Sequence, residues 1–262
     1  MAHHLSVRDA LQLFRVASLP PDFYYIPNFI SEEEEASILQ KIPAQRWISL
    51  SHRRLQAHPS TLTKNNTLLT APLPPYLVNP VVERFKAIDI FANTPHKEPN
   101  HVLINEYRRG QGIMPHEDGG AYAPVVATVS LGAPICLEIS RKPASREDEN
   151  GATLQEPADT PPSLPLSTPS YNIPTRILQE PRSLLITTGS AYTELLHGIA
   201  PLEVDEDLGS ATVANWDLLA EPYVFEESGR RNERDTRISL TYRDVLKVSS
   251  AASKVFGGLG KR

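Results

Sequence analysis

The stretch Arg237-Ile238-Ser239-Leu240-Thr241-Tyr242-Arg243 decides how this chain is read. It alternates without a break. Arg237, Ser239, Thr241 and Arg243 fall on one side of an extended strand, and Ile238, Leu240 and Tyr242 on the other. The apolar side calls for a core. The polar side has two readings. Facing water, it belongs to an ordinary half-exposed strand. Lining a cavity, it puts arginine where charge is costly unless an anion pairs with it. A dicarboxylate ligand supplies such anions, and a guanidinium grips a carboxylate through two parallel N–H bonds.

Working outward, four more short β-rich runs precede this one, at residues 101–107, 125–131, 135–139 and 183–188, with Gly and Pro clustered between them. Within the first, Asn105 and Tyr107 project from one side and carry hydrogen-bonding tips suited to a ligand carboxylate or carbonyl. A plain surface strand would show the same pair. Helical signals come earlier in the chain. Ser31-Glu32-Glu33-Glu34 fits a capping box, with Ser31 as N-cap and Glu34 at the third helical position, and Ala36, Leu39 and Ile42 follow at helical spacing. Residues 6–14 form a weaker candidate helix. Residues 77–91 form a third, with Val78, Val81, Val82, Phe85 and Ile88 on one stripe. Helices first and many short strands after them indicate an α+β, mainly β fold, a jelly roll or β-sandwich with flanking N-terminal helices.

The 262 residues suit a single domain. One segment breaks the pattern. Residues 143–181 hold eight prolines with scattered Ser and Thr, and proline resists both helix and central strand. The expectation is a long, partly disordered insertion loop within the domain. Hydrophobic content of 40% and charged content of 22% are ordinary for a soluble protein. The single cysteine, Cys136, excludes an internal disulfide and a Cys-rich zinc site, which points to the cytoplasm or nucleus. No early apolar run is long enough for a signal peptide or a membrane span, so no membrane is expected, and the chain is read as a monomer. A net charge of −5 weighs against a nucleic-acid binder that relies on a basic surface, with Arg108-Arg109 and Arg230-Arg231 as candidate local patches.

Met114-Pro115-His116-Glu117-Asp118-Gly119 carries His-x-Asp. Side chains two apart on an extended segment share a side, so His116 and Asp118 can converge on one ion while Glu117 points away. Imidazole plus carboxylate suits Fe(II), and a third imidazole would complete a two-histidine, one-carboxylate face with open positions. The tripeptide alone is weak. His96-Lys97-Glu98 has similar chemistry but lies between Pro95 and Pro99, in a loop. Leu195-Leu196-His197-Gly198-Ile199 offers the third histidine, although a core histidine bonded to a backbone carbonyl is the plainer reading of it in isolation.

Taken together, Asn105-x-Tyr107, His116-x-Asp118, His197 and Arg237-x-Ser239-x-Thr241-x-Arg243 resemble the AlkB family of non-haem iron dioxygenases in order and character. Ser239 departs from that pattern, where many members carry Asn. Three segments resemble one branch of the family in particular: Phe23-Tyr24-Tyr25-Ile26-Pro27-Asn28-Phe29-Ile30-Ser31, Gly112 to Gly119, and Leu195 to Ala200. The resemblance implies a double-stranded β-helix, with Fe(II) held by His116, Asp118 and His197. It implies 2-oxoglutarate as cosubstrate, its distal carboxylate on Arg237, with Asn105, Tyr107, Thr241 and Arg243 in the same pocket. It implies O₂-dependent oxidative demethylation or hydroxylation of a macromolecule, with alkylated DNA or RNA as the family's usual substrate. The alternative is a non-catalytic interaction module that keeps the fold.

Overall fold

In the computed structural model, which describes residues 7–143, 171–173 and 175–250, most strands pair into two antiparallel sheets that face each other across a cavity. In chain order the elements begin with α1 (Val7–Gln12), β1 (Phe23–Ile26), α2 (Glu32–Lys41), β2 (Ile48–Ser49), β3 (Arg54–His58) and β4 (Thr67–Leu69). Then come α3 (Pro75–Val78), α4 (Val81–Ala87), β5 (His101–Tyr107), β6 (Ile113–His116), β7 (Tyr122–Gly132) and β8 (Ile135–Arg141). The rest are β9 (Thr175–Gln179), β10 (Leu184–Thr188), α5 (Gly189–Glu194), β11 (Leu195–Ile199), β12 (Val204–Asp205), α6 (Pro222–Glu227), β13 (Asn232–Glu233), β14 (Arg237–Val245) and β15 (Lys247–Ser249). The major sheet runs β1-β10-β7-β14-β5-β3-β2 and the minor sheet β6-β11-β8-β9. This is a jelly roll, mainly β, with helices laid on one side.

The strand that opened the reading is central. β14 lies between β7 and β5 and is buried on both faces. Its apolar face, with Leu240 and Tyr242, joins Val102, Ile104, Val129 and Ile186 from neighbouring strands and packs beneath the helices. Tyr242 meets Phe85 of α4 edge-on at 5.0 Å and donates to the Leu77 carbonyl at 2.9 Å. Burying such a side chain contributes roughly 2–3 kcal/mol, so this face anchors the helical layer to the sheet. The polar face turns the other way, toward the minor sheet, where Arg237 lies opposite Tyr107 and Ser239 opposite Asn105. Of the two readings of this strand, the structure has the cavity.

α2 starts where its sequence predicts. The Ser31 hydroxyl accepts from the Glu34 N–H at 3.2 Å, and the Glu34 carboxylate accepts from the Ser31 N–H at 2.7 Å. Glu35, one residue on, is buried and accepts from the Gly132 N–H at 2.7 Å, which ties the helix to the end of β7. The helix expected over 77–91 is two helices, α3 and α4, because Pro80 lacks the N–H that a continuous helix needs. Within the segment expected as loop at 143–181, Thr175–Gln179 is a strand. β9 pairs with β8 from Thr175 opposite Ile139 to Gln179 opposite Ile135, and burial of Ile177 and Leu178 outweighs the proline-rich composition before it. Residues 144–170 and 174 of that segment lie outside the described residues.

Two histidines sit in the major sheet with little access to water, His58 at 0% and His101 at 2% exposure. The His58 ring donates through Nε2 to the Gln56 side-chain oxygen at 3.2 Å and accepts at Nδ1 from Arg46 at 3.1 Å, so no lone pair is left for a proton. Burial, with Arg46 second, pushes His58 down to about 4; burial, with Arg243 second, does the same to His101. An unfolded histidine titrates near 6.5. Below that pH the unfolded chain takes up protons that the folded chain refuses, so stability present at pH 7 is lost as pH falls from about 6.5 toward 4. Thermal midpoints measured from pH 7.5 to 5 are expected to fall, and to fall less steeply in a His58→Gln variant. An unchanged slope in that variant would remove His58 from the account.

Candidate iron and cosubstrate site

The site begins with one cross-strand pair. In the minor sheet β11 lies beside β6 with His197 directly opposite His116, and the ring centroids are 4.4 Å apart. Gly198 makes this approach possible. A Cβ there would meet the Pro115 backbone nitrogen at 2.9 Å and the Ile113 carbonyl oxygen at 3.1 Å, closer than backbone atoms tolerate. β6 ends at His116, and Asp118 stands two residues beyond in irregular chain, before the positive-φ turn at Gly119. One ligand atom each from His116, Asp118 and His197 lies within 4.8 Å of the others. Three such groups gathered this closely could hold a single metal ion.

The protonation states suit a metal. His116 Nδ1 is 2.9 Å from the Met114 carbonyl, so it carries the proton and leaves Nε2 as the ligand atom. Burial pushes His197 down to about 4 against the pull of Asp118, which keeps the imidazole neutral at pH 7. Burial alone would raise the Asp118 pKa; Arg243 foremost, with His197 and His116, outweighs it and holds the carboxyl below the usual carboxylate range. Arg243 pairs directly with Asp118 and carries Tyr122 over its guanidinium at 5.0 Å. Arg243 therefore belongs to the metal end of the polar face.

A cavity of about 300 Å³ runs between the sheets from this cluster. It takes in Asn105, Tyr107, Arg237, Ser239, Thr241 and Arg243 from the major sheet, so the site residues expected from sequence meet in one place. Arg237 is 2% exposed and has no carboxylate partner among the described residues. Its Nε donates to the Ser130 hydroxyl at 3.0 Å and its Nη2 to the Gln179 side-chain oxygen at 2.9 Å, while Tyr107 lies 5.9 Å from the guanidinium carbon. Burial pushes Arg237 down to about 10, so it stays charged at pH 7. A buried cation held only by neutral groups is a receptor for an anion.

Other residues around the site carry no signal in the sequence reading. Ser130 and Gln179 hold Arg237; Tyr192 donates to the Gly119 carbonyl at 2.8 Å; Arg53 donates to the Asn105 side-chain oxygen at 3.2 Å. Ser130 is the one a pattern could have found, because it sits directly opposite Ser239. His96 is elsewhere. Its ring meets Asp244 at 2.5 Å, and Asp244 is fully buried, so His96 closes off the end of β14 rather than serving a metal. Three of the four arginines in the candidate basic patches meet acids, Arg108 with Glu106, Arg109 with Glu203 and Arg231 with Glu206, while Arg230 donates to the Leu208 carbonyl.

Comparison with known proteins agrees with this geometry. Residues 22–243 match the family model described as the 2OG-Fe(II) oxygenase superfamily. A Danio rerio protein named probable RNA/DNA demethylase ALKBH6 is 36% identical over 244 residues, which covers 92% of this chain and 93% of that one. Uncharacterized protein L905 of Acanthamoeba polyphaga mimivirus is 25% identical, over 86% of this chain and 85% of its own. The alkylated DNA repair protein ALKBH8 homolog of Arabidopsis thaliana is 26% identical, over 71% of this chain and 53% of its own.

Alanine at His116, Asp118 or His197 is expected to abolish tight Fe(II) binding, whereas His96→Ala is expected to keep it and lose about 1–3 kcal/mol of stability from the exposed end of the Asp244 network. Gly198→Ala leaves every ligand in place but pushes β6 from β11, and its Fe(II) affinity is expected to fall about 10- to 100-fold, the usual penalty for disturbing what orients a ligand. Calorimetric Fe(II) titration under argon measures all five. Tight Fe(II) binding by a folded His197→Ala protein would refute the ligand set.

Proposed function

The chain belongs to the 2OG-Fe(II) oxygenase superfamily, on its AlkB branch, and from that premise we propose that it oxidises methylated bases in unpaired RNA or DNA. It is a non-haem iron dioxygenase that uses Fe(II), 2-oxoglutarate and O₂. In this reading His116, Asp118 and His197 hold the iron. Arg237 takes the distal carboxylate of 2-oxoglutarate, with Asn105, Tyr107 and Thr241 beside it. O₂ would supply the oxidising power, activated by Fe(II) and by electrons from 2-oxoglutarate, and the chain supplies position, charge and exclusion of water.

The observation that carries the site assignment is the pairing of two features in one cavity. A compact His-Asp-His cluster stands at one part of it, and a buried guanidinium without an acidic partner at another. A single five-carbon keto-diacid has a metal-chelating end and an anionic end, and so suits both.

Two findings support the substrate class. The Danio rerio relative carries the name of an RNA/DNA demethylase at 36% identity over nearly the whole chain. Arg108, Arg109 and Arg231 are paired with acids and net charge is −5, so the phosphate attraction that duplex binders rely on is weak here. An unpaired base needs less of it, because it enters a cavity without the cost of unstacking a duplex. The single thiol, Cys136, is buried and free, which suits a monomer in the reducing cytoplasm or nucleus. The test is succinate formation against methylated single strands, the same sequences as duplexes, and methylated peptides. Single strands are expected to respond most strongly, with release of formaldehyde. A response to peptides alone would overturn the nucleic-acid reading.

Arg237→Ala leaves a desolvated carboxylate without its partner. Such truncations cost about 2–5 kcal/mol, so 2-oxoglutarate affinity is expected to fall roughly 30-fold or more. Arg237→Lys keeps the charge without the planar fork and is expected to recover part of the loss. Iron binding survives both. Truncating Ile238 or Tyr242, on the opposite face, lowers stability instead. Titration of 2-oxoglutarate into the anaerobic Fe(II) protein, followed by its metal-to-ligand absorption band, measures these affinities; wild-type affinity in folded, iron-loaded Arg237→Ala would sink the assignment.

A further inference from the structure

Gln179 comes from the sheet opposite Arg237, and its surroundings are wrong for a plain glutamine. It is 1% exposed, at the end of β9, on the inner face that β9 and β8 share through Ile177, Leu137 and Ile135. A side-chain amide in such a place must find partners for both its ends. Arginine has only donors, so the atom 2.9 Å from Arg237 Nη2 has to be the amide oxygen. The amide nitrogen must then point away from Arg237. It has no hydrogen-bond partner among the described residues, and Gln179 lines the cavity. Arg237 is placed similarly. Its Nε and one Nη2 hydrogen are spent on Ser130 and Gln179, while Nη1 has no partner among the described residues and the side chain lines the same cavity.

From this we infer that Gln179 is the neutral second arm of an anion clamp: its amide oxygen fixes the Arg237 fork and its amide nitrogen donates to the same carboxylate that the fork receives. The inference rests on the reading that Arg237 takes the distal carboxylate of 2-oxoglutarate. It makes Gln179 a positioning and specificity residue for the cosubstrate, contributed across the cavity by the minor sheet. Because this arm is neutral, the clamp carries a single positive charge and matches a single carboxylate. It also links the sheets: a ligand held by Arg237 of β14 and Gln179 of β9 bridges the two walls.

Three variants test it: Gln179→Glu, Gln179→Met and, as a control for the underlying reading, Arg237→Ala. In Gln179→Glu a carboxylate stands beside the Arg237 fork and answers its charge from within the protein. Its affinity for 2-oxoglutarate, titrated anaerobically into the Fe(II) protein, is expected to fall at least about tenfold, more than an uncharged loss would, because the ligand must displace an ion pair. The thermal midpoint of the metal-free, ligand-free protein is expected to rise or hold. Gln179→Met keeps the volume and removes both hydrogen bonds, and its 2-oxoglutarate affinity is expected to fall about 3- to 10-fold, the effect of one or two hydrogen bonds. Fe(II) affinity without 2-oxoglutarate should match wild type in both. Wild-type 2-oxoglutarate affinity in Gln179→Glu, with Arg237→Ala impaired, would overturn the second arm and leave the Arg237 assignment standing. Wild-type affinity in both Gln179→Glu and Arg237→Ala would overturn that assignment and the clamp with it. A lowered thermal midpoint in Gln179→Met at unchanged 2-oxoglutarate affinity would make Gln179 a packing residue and also overturn the proposal.

Discussion

Arg237 keeps a full charge with almost no access to water, and the architecture around it follows from that constraint. Moving an ion out of water costs several kcal/mol even after the protein relaxes. Two neutral hydrogen bonds, to Ser130 and Gln179, offset part of that cost, and the ring of Tyr107 nearby adds a weak attraction. The balance is left to whatever anion arrives. On the proposed reading, in which that anion is the cosubstrate, binding and fold stability are coupled, because a ligand that binds only the folded chain stabilises it with the logarithm of its concentration. The same logic explains why β14 is central. A strand with neighbours on both edges and layers on both faces holds an arginine deep without giving water a path to it.

At the metal end the constraint is geometric. Two imidazoles must face one point from adjacent strands, and a one-residue slip would turn one of them to the wrong face. Register is held from outside the site. Arg234 and Asp205, both nearly inaccessible, form a forked ion pair, and Arg234 also donates to the Ala200 carbonyl just past β11. Asn232 adds a bond from its side chain to the Asp205 carboxylate at 3.0 Å. The short β12-β13 ladder and Arg234 just past it thus brace the end of the strand that carries His197, while Gly198 lets β6 come close beside it. Neither feature touches the ion, yet both set where the imidazoles stand.

Much of this was legible from local patterns, and the illegible parts have definite reasons. The alternation of residues 237–243 and the capping box at Ser31 express short-range rules, and the structure has the strand with its two faces in different surroundings and the cap with both its bonds, while Asn105 and Tyr107 lie on the strand beside it, opposite Ser239 and Arg237. A run of apolar residues at helical spacing correctly marked Val81, Val82 and Phe85 as core but could not show that Pro80 splits the helix. Gln179 was hidden for a different reason. It stands at the end of a segment whose prolines argue against a strand, and its role depends on a partner 58 residues away on another sheet. Arg53 was likewise invisible, since an arginine in a short strand-flanking loop takes on a meaning only from what lies across from it.

The two sheets contribute different things to the cavity, and the difference is chemical. The major sheet brings the charged and hydrogen-bonding stripe of β14 and β5, whereas the inner face of the minor sheet is built from Leu137, Ile139, Leu195 and Ile199 around His197. Apolar walls lower the local dielectric, which strengthens each charge interaction the polar stripe makes and keeps the His197 imidazole neutral. With both walls polar, water would enter and screen Arg237; with both apolar, no anion would be held. A cavity whose second wall is apolar apart from His116, His197 and Gln179 can receive an anion on few, well-placed polar groups while its apolar lining limits water. That asymmetry follows from strand patterning: β14 alternates polar and apolar with both sets buried, the polar set facing the cavity and the apolar set packed beneath the helices.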